Sequence, residues 1–345
     1  MRSRRWYLAT LLVTGLTLQC DSEPAAPDPG IPLFATHPDL SDDDSVNLGG
    51  MPFAAAISPT NVVYVTRATA DSVARTVLPN ITFPTQFPIG DLPSQVRITP
   101  NGQTAYVSNQ GTGGGGGTST VRFVNVSSNT VFDTVTVPGS VLTIGLSPNG
   151  TKLYALTDFR GVYILDALAG TLIDSIPPAK TDSLLTGVAF HPFLLRMYIT
   201  ARDKGKVITI NTNTNDTVSI TLVGSSGRLQ NVAVSRDGAK LYATDIQRSK
   251  LITWNLSSGT PVVSPSETSI GTAANNNVFD VAVTPDNVQL YVSALVDGKV
   301  FVLNRSDLSS VTQILTSGKP RYIAFNYLGD FAVIPNENGW VDVVH

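Results

Sequence analysis

Six tyrosines lie 42 to 49 residues apart. Each sits in a short apolar run that follows a tight turn, and about four strand signals fill every interval. These features predict an all-β chain folded as a seven-bladed β-propeller with four-stranded antiparallel blades. Composition agrees. Charged residues make up only 14% of the chain. Ser, Thr, Asn and Gly take the polar positions, which suits strands joined by tight turns.

The turns carry the period. They read Ile-Thr-Pro-Asn-Gly at 98–102, Leu-Ser-Pro-Asn-Gly at 146–150, Val-Ser-Arg-Asp-Gly at 234–238 and Val-Thr-Pro-Asp-Asn at 283–287. Proline presets φ, and Gly or Asn accepts φ > 0, so each can reverse the chain. The strand after each turn is anchored by Tyr64, Tyr106, Tyr154, Tyr198, Tyr242 or Tyr291, with Val333 in the seventh copy. Third strands align at 121–125, 162–166, 207–211, 251–255 and 300–304, each ending on Asn or Asp. A fourth strand is expected at 132–139. Blade 1 fits least well, over Asp71 to Leu78, and its third strand is not located.

The seventh copy stops after a third strand, Trp340 to His345. Ser45 to Gly50 is therefore expected to supply the missing fourth strand, so that an N-terminal strand completes the C-terminal blade and removes the last open edge. The resulting domain spans 44–345.

The N-terminus reads as an export signal over 1–19. Arg2, Arg4 and Arg5 precede an apolar stretch of about 13 residues, too short to span a bilayer. The lone cysteine, Cys20, closes Leu16-Thr17-Leu18-Gln19-Cys20, which resembles a bacterial lipobox although Thr17 and Gln19 depart from its usual pattern. Lipidation of Cys20 is the expectation, with ordinary signal-peptidase cleavage as the alternative. Residues 20–43 are rich in Pro and acidic side chains and are expected to form a disordered tether. Without residues 1–19 the chain has 20 basic and 26 acidic residues, a net charge of −6. That balance weighs against nucleic acid as a partner.

The repeated units resemble the YVTN β-propeller repeat, in Tyr64-Val65-Thr66-Arg67, Tyr106-Val107-Ser108-Asn109, Tyr198-Ile199-Thr200-Ala201 and Tyr291-Val292-Ser293-Ala294. The resemblance implies a periplasmic or surface lipoprotein of the binding type and a likeness to lactonase-like propellers.

Residues with catalytic promise are few. His191 replaces the Ser or Thr found at Ser58, Thr99, Ser147, Ser235 and Thr284, so a turn-capping role is expected for it. His37 lies in the tether and His345 at the terminus, leaving no histidine pair for a metal. Gly113 to Gly117 lacks the helix and Lys-Ser/Thr of a phosphate-binding loop. No cofactor or metal is expected.

Aligning the first strands gives four columns. The second and fourth are apolar, from Ala55 and Val96 to Ile323 and from Ile57 and Ile98 to Phe325. The third is Ala or Gly in six copies and Arg97 in blade 2. The first varies: Ala54, Gln95, Thr143, Gly187, Asn231, Asp280 and Tyr322, with Arg321 just before the last. If these strands line the axis, Arg97 must pair with a neighbour such as Asp280 or reach into the channel. Gln95, Arg97, Asn231, Asp280, Arg321 and Tyr322 are the candidate ligand-binding residues at the channel mouth, and no catalytic residue is assigned. The expected function is non-catalytic binding or scaffolding at the cell envelope, periplasmic or on the surface. The protein would be a lipid-anchored monomer presenting a face to a protein, glycan or small molecule. A lactonase- or lyase-like enzyme is the alternative, and single-stranded nucleic-acid binding is the third reading.

Overall fold

The computed structural model describes residues 35–40, 43–111, 117–223, 227–262, 264–316 and 318–345. The export signal, Cys20, the remainder of the tether and Gly113 to Gly116 lie outside the described residues. The chain forms seven antiparallel sheets in sequence order around a ring, a seven-bladed propeller. Blades 1 to 6 span 52–88, 93–138, 141–176, 185–222, 229–269 and 278–315. Blade 7 combines Ala324–Phe325, Ala332–Pro335 and Trp340–Val344 with Asp43–Asn47 from the N-terminus. Within each blade the first strand is innermost, packing on the first strands of its neighbours.

Ring closure follows the expected logic, with the closing strand set slightly earlier. Asp43–Asn47 pairs antiparallel with Trp340–Val344, while Leu48 to Gly50 turn the chain into blade 1. Ser45 Oγ donates to Asp342 at 2.7 Å, and Leu48 joins the apolar cluster between blades 7 and 1. Arg67 holds the exit by donating to Leu48 O at 2.7 Å and Gly49 O at 3.3 Å. Gly50 has φ +65°, and a Cβ there would meet the Ala70 Cβ at 2.5 Å, so the Gly-Gly exit is required. Blade 1 also resolves. Its third strand is Ser72–Val77, inside the stretch that fitted poorly, and its fourth is Thr85–Pro88 after a long connection.

The tyrosines are struts between blades. All six are fully buried. The Tyr64 hydroxyl donates to Asn129 Oδ1 at 2.6 Å, Tyr106 to Ala167 O at 2.7 Å and Tyr198 to Gly259 O at 2.8 Å. Each acceptor lies in the turn between the third and fourth strands of the next blade. Blade 7 needs no tyrosine, because its neighbour's long connection contributes Phe83 to the cluster containing Val333.

Turn chemistry repeats just as regularly. Ser58, Thr99, Ser147, Ser235 and Thr284 each accept the N–H that restarts the second strand, at 2.8 to 3.1 Å. His191 caps its turn one step earlier, its Nδ1 accepting the N–H groups of Phe193 and Leu194, both at 3.1 Å. Burial holds its imidazole below the ordinary value. Asn326 caps the blade 7 turn through Oδ1.

Part of the stretch read as tether lies on the ring. Thr36 N–H donates to Leu328 O at 2.8 Å, His37 Nδ1 meets Asp286 Oδ2 at 2.6 Å, and Pro38 is buried. Leu328 and Asp286 belong to turns between first and second strands, so this segment crosses the face opposite the ends where first strands begin.

A chain starting at Met51 would leave Trp340–Val344 as an open edge and strip Leu48 from the closing cluster. Its melting midpoint, followed by circular dichroism, is expected to fall by at least about 10 °C. Melting like the intact chain would contradict closure by the N-terminal strand.

Candidate functional site

The site begins with an irregularity in the innermost strands. In blades 1 to 6 the first strand breaks register with the second near its start. A bulge frees a backbone N–H, which must find another acceptor when buried. In several blades a hydroxyl two residues after the anchoring tyrosine supplies it. Thr66, Ser108, Thr244 and Ser293 accept the N–H groups of Ala54, Gln95, Asn231 and Asp280 at 2.9 to 3.2 Å. Thr244 and Ser293 also donate onward to Phe279 O and Arg321 O of the next blade, at 2.8 and 2.7 Å. The hydroxyls fix the first-column residues and join neighbouring blades at one point.

The direction of the columns corrects the sequence reading. First- and third-column residues face the next blade rather than simply lining a lumen. A Cβ at Gly187 would come within 2.8 Å of the Asn231 Cα. A Cβ on Gly145 would extend to 2.7 Å from Val188 and 3.0 Å from Phe190, the second and fourth columns of blade 4. Small residues fill the third column because the neighbouring blade presses on it.

All six candidates gather at the mouth where first strands begin. Asn231 of blade 5 donates its amide to Asp280 Oδ1 of blade 6, and Ile323 N–H of blade 7 donates to Asp280 Oδ2 at 2.8 Å. Asp280 and Arg97 make no direct ion pair, so the expected partnership is replaced by an amide and a backbone N–H. Arg97 turns back along its own strand. Its Nη1 donates to Gln95 Oε1 at 3.0 Å and to Val96 O at 2.8 Å. Gln95 lies beside the Tyr322 hydroxyl. Arg321 and Tyr322 precede the short first strand of blade 7 instead of lying in it, held by Arg321 N–H to Pro335 O at 2.9 Å.

Around these stand residues that the repeat did not reveal. The Arg321 guanidinium lies 4.4 Å from the centre of the Phe279 ring and 5.0 Å from that of Phe53, and it pairs with Glu337. Tyr322 packs on Phe279 at 5.1 Å and Phe53 at 5.8 Å. Arg202, from the short turn Arg202–Lys204 of blade 4, lies within electrostatic reach of Tyr322 and Arg321. A cation held over two rings is well suited to fixing the rim.

Burial dominates the electrostatics. It pushes the Asp280 carboxyl up to about 6, against the pull of Ile323 N–H, the Asn231 amide, Val281 N–H and the Arg97 charge. It lowers Arg97, which the charges on Tyr322 and Asp280 partly offset. Arg321 is pushed down to about 10 by burial, opposed by Tyr322 and reinforced by Arg202. Tyr322 is raised by burial and by Asp280.

No protein-family model matches the chain. The uncharacterized protein YwhL of Bacillus subtilis (strain 168) is 24% identical over 245 residues, which cover 68% of this chain and 49% of that protein. The chain thus spans about half the length of this curated relative. Among solved structures, hydrazine synthase of Kuenenia stuttgartiensis superposes with a TM-score of 0.76 at 16% identity, covering 87% of this chain and 96% of that one. The β-propeller domain of Cps50 (Swd1) from Myceliophteria thermophila gives 0.70 at 13% identity, covering 87% and 97%. Both likenesses are of fold alone.

Asp280 yields a pH prediction. A carboxyl whose folded pKa lies above its unfolded value gives stability that is whole below about pH 4 and lost as pH rises through 6. Asp280→Asn keeps the shape and lacks the titration. Its stability relative to the parent is expected to improve between pH 4 and 7 by up to about 3 kcal/mol, read from paired melting curves. A difference that stays flat across that range would contradict the assignment.

Proposed function

We propose that the protein is a non-catalytic binding protein of the cell envelope, built from YVTN-type blades and held by a lipid on Cys20. Its ligand sits at the channel mouth bounded by Gln95, Arg97, Asn231, Asp280, Arg321 and Tyr322. The observation that carries this reading is convergence: polar side chains from blades 2, 5, 6 and 7 meet at one mouth on strand ends pinned by the hydroxyl bridges. The N-terminal segment supports the same picture. It runs over the face opposite the mouth through Thr36 and His37, which leaves the mouth clear of it.

An enzyme of lactonase or lyase type draws support from Asp280, whose pKa near 6 suits acid–base work. Both its oxygens, however, already accept hydrogen bonds, and the neighbouring carboxylate, Glu337, is engaged by Arg321. Nucleic-acid stacking would need open ring faces, whereas Phe279 and Tyr322 are buried.

The test uses two cysteines placed on opposite faces in a Cys20→Ser background, Phe53→Cys at the mouth and Phe193→Cys in the blade 4 turn. Compounds that raise the melting temperature are expected to slow maleimide labelling at position 53 and leave position 193 unaffected. Protection confined to position 193, or turnover of a bound lactone that disappears in Asp280→Asn, would overturn the reading.

A further inference from the structure

We infer that the ligand seated at this mouth bears an oxyanion, a carboxylate or a phosphate, received by Arg97 and Arg202 together with the Gln95 amide. This rests on the mouth being the binding site and adds the chemical class of what enters it.

The carboxylates near the mouth are taken. Asp280 accepts from Asn231 and Ile323 N–H, Glu337 pairs with Arg321, and Asp203 pairs with Arg228 at 3.0 Å. At the mouth, Arg97 and Arg202 make no ion pair among the described residues, although Asp280 and Asp203 act on them at longer range. Only Nη1 of Arg97 is hydrogen-bonded, to oxygens of its own strand. Arg202 Nε is buried and has no acceptor. Gln95 is fully buried, yet its Nε2 finds no acceptor in hydrogen-bonding geometry beside Tyr322.

Unsatisfied buried donors are uncommon because each costs free energy comparable to a lost hydrogen bond. Buried donors without an acceptor also occur at Arg75, Arg122, Arg196 and Trp254, but at the mouth they coincide with crowded positive charge. Arg202 is destabilised in its charged form by burial and then by Arg228, which Asp203 and Tyr322 oppose, and Arg321 by burial with a contribution from Arg202 that Tyr322 opposes. An oxyanion would accept from the free donors and relieve the repulsion, through charge-assisted bonds that exceed neutral ones in strength. A neutral ligand could do the first but not the second. Arg321 is paired with Glu337 and lies over Phe53 and Phe279, with only its buried Nε lacking an acceptor, so Arg97 and Arg202 are the guanidinium groups left to receive the anion.

Titration calorimetry on the intact chain with benzoate, its neutral counterpart benzamide, and inorganic phosphate tests this. One or both anions are expected to bind at least tenfold more tightly than benzamide. Arg97→Gln and Arg202→Gln should each weaken that binding by about tenfold or more. Lys204→Gln, which removes the same charge from an exposed side chain in the same turn, should leave it unchanged. Tighter binding of benzoate identifies a carboxylate ligand, and tighter binding of phosphate a phosphoryl one. Binding of benzoate and phosphate that is for both no tighter than that of benzamide, insensitivity to both arginine substitutions, or no anion binding up to about 10 mM would overturn the inference. If neutral compounds alone protect Phe53→Cys, the anionic class falls while the mouth stands as the site.

Discussion

Seven inner strands have to pass side by side near one axis, and the third residue of each is pressed by the second and fourth columns of the next blade. At Gly145 the approach is so close that a Cβ would lie 2.7 Å from Val188. This steric limit reserves the column for Gly and Ala, and the ring closes around it. The bulges before this column are satisfied by Thr and Ser hydroxyls, two of which lock blade 5 to blade 6 and blade 6 to blade 7. The tyrosines add a second set of inter-blade bonds farther from the axis. Closure by Asp43–Asn47 completes the ring in both sequence and hydrogen bonding.

The candidate site is built on the same locking. A bulged strand end stays ordered only if its N–H groups are paired, and the bridging hydroxyls pair them while handing the first-column side chains to the mouth. Asn231, Asp280 and the Ile323 peptide consequently form a bonded arc across three blades. Arg97 is the exception in a column that sterics reserve for small residues. It avoids the clash by folding back on Gln95 and Val96 O, which keeps part of its guanidinium without a protein partner. A position that breaks a local packing rule in an otherwise consistent repeat is a sign of function.

Much of this was legible in sequence wherever the repeat supplies a column. The tyrosine period gave the blades, the truncated seventh copy gave the closure, and replacement of Ser or Thr by His191 gave its turn-capping role. The variable first column named residues that do meet at one mouth. Three things were hidden. Phe53 and Phe279 precede the varying column by one residue, and Arg202 and Glu337 sit in the connections between second and third strands, which a comparison of first-strand columns does not include. The partner of Asp280 was misjudged because charge suggested Arg97, whereas adjacency of blades favours Asn231. Blade 1 fitted poorly because its connection at 78–84 is long, and that length is what delivers Phe83 beneath Val333.

The central claim is that Arg97 departs from the packing rule for the sake of the mouth and not for the stability of the ring. Equilibrium unfolding of Arg97→Ala tests it most directly, since alanine is what this position holds in most blades. The account predicts stability unchanged or raised by up to about 1 kcal/mol. A loss of more than about 2 kcal/mol would show that Arg97 holds the ring together, and would contradict the account.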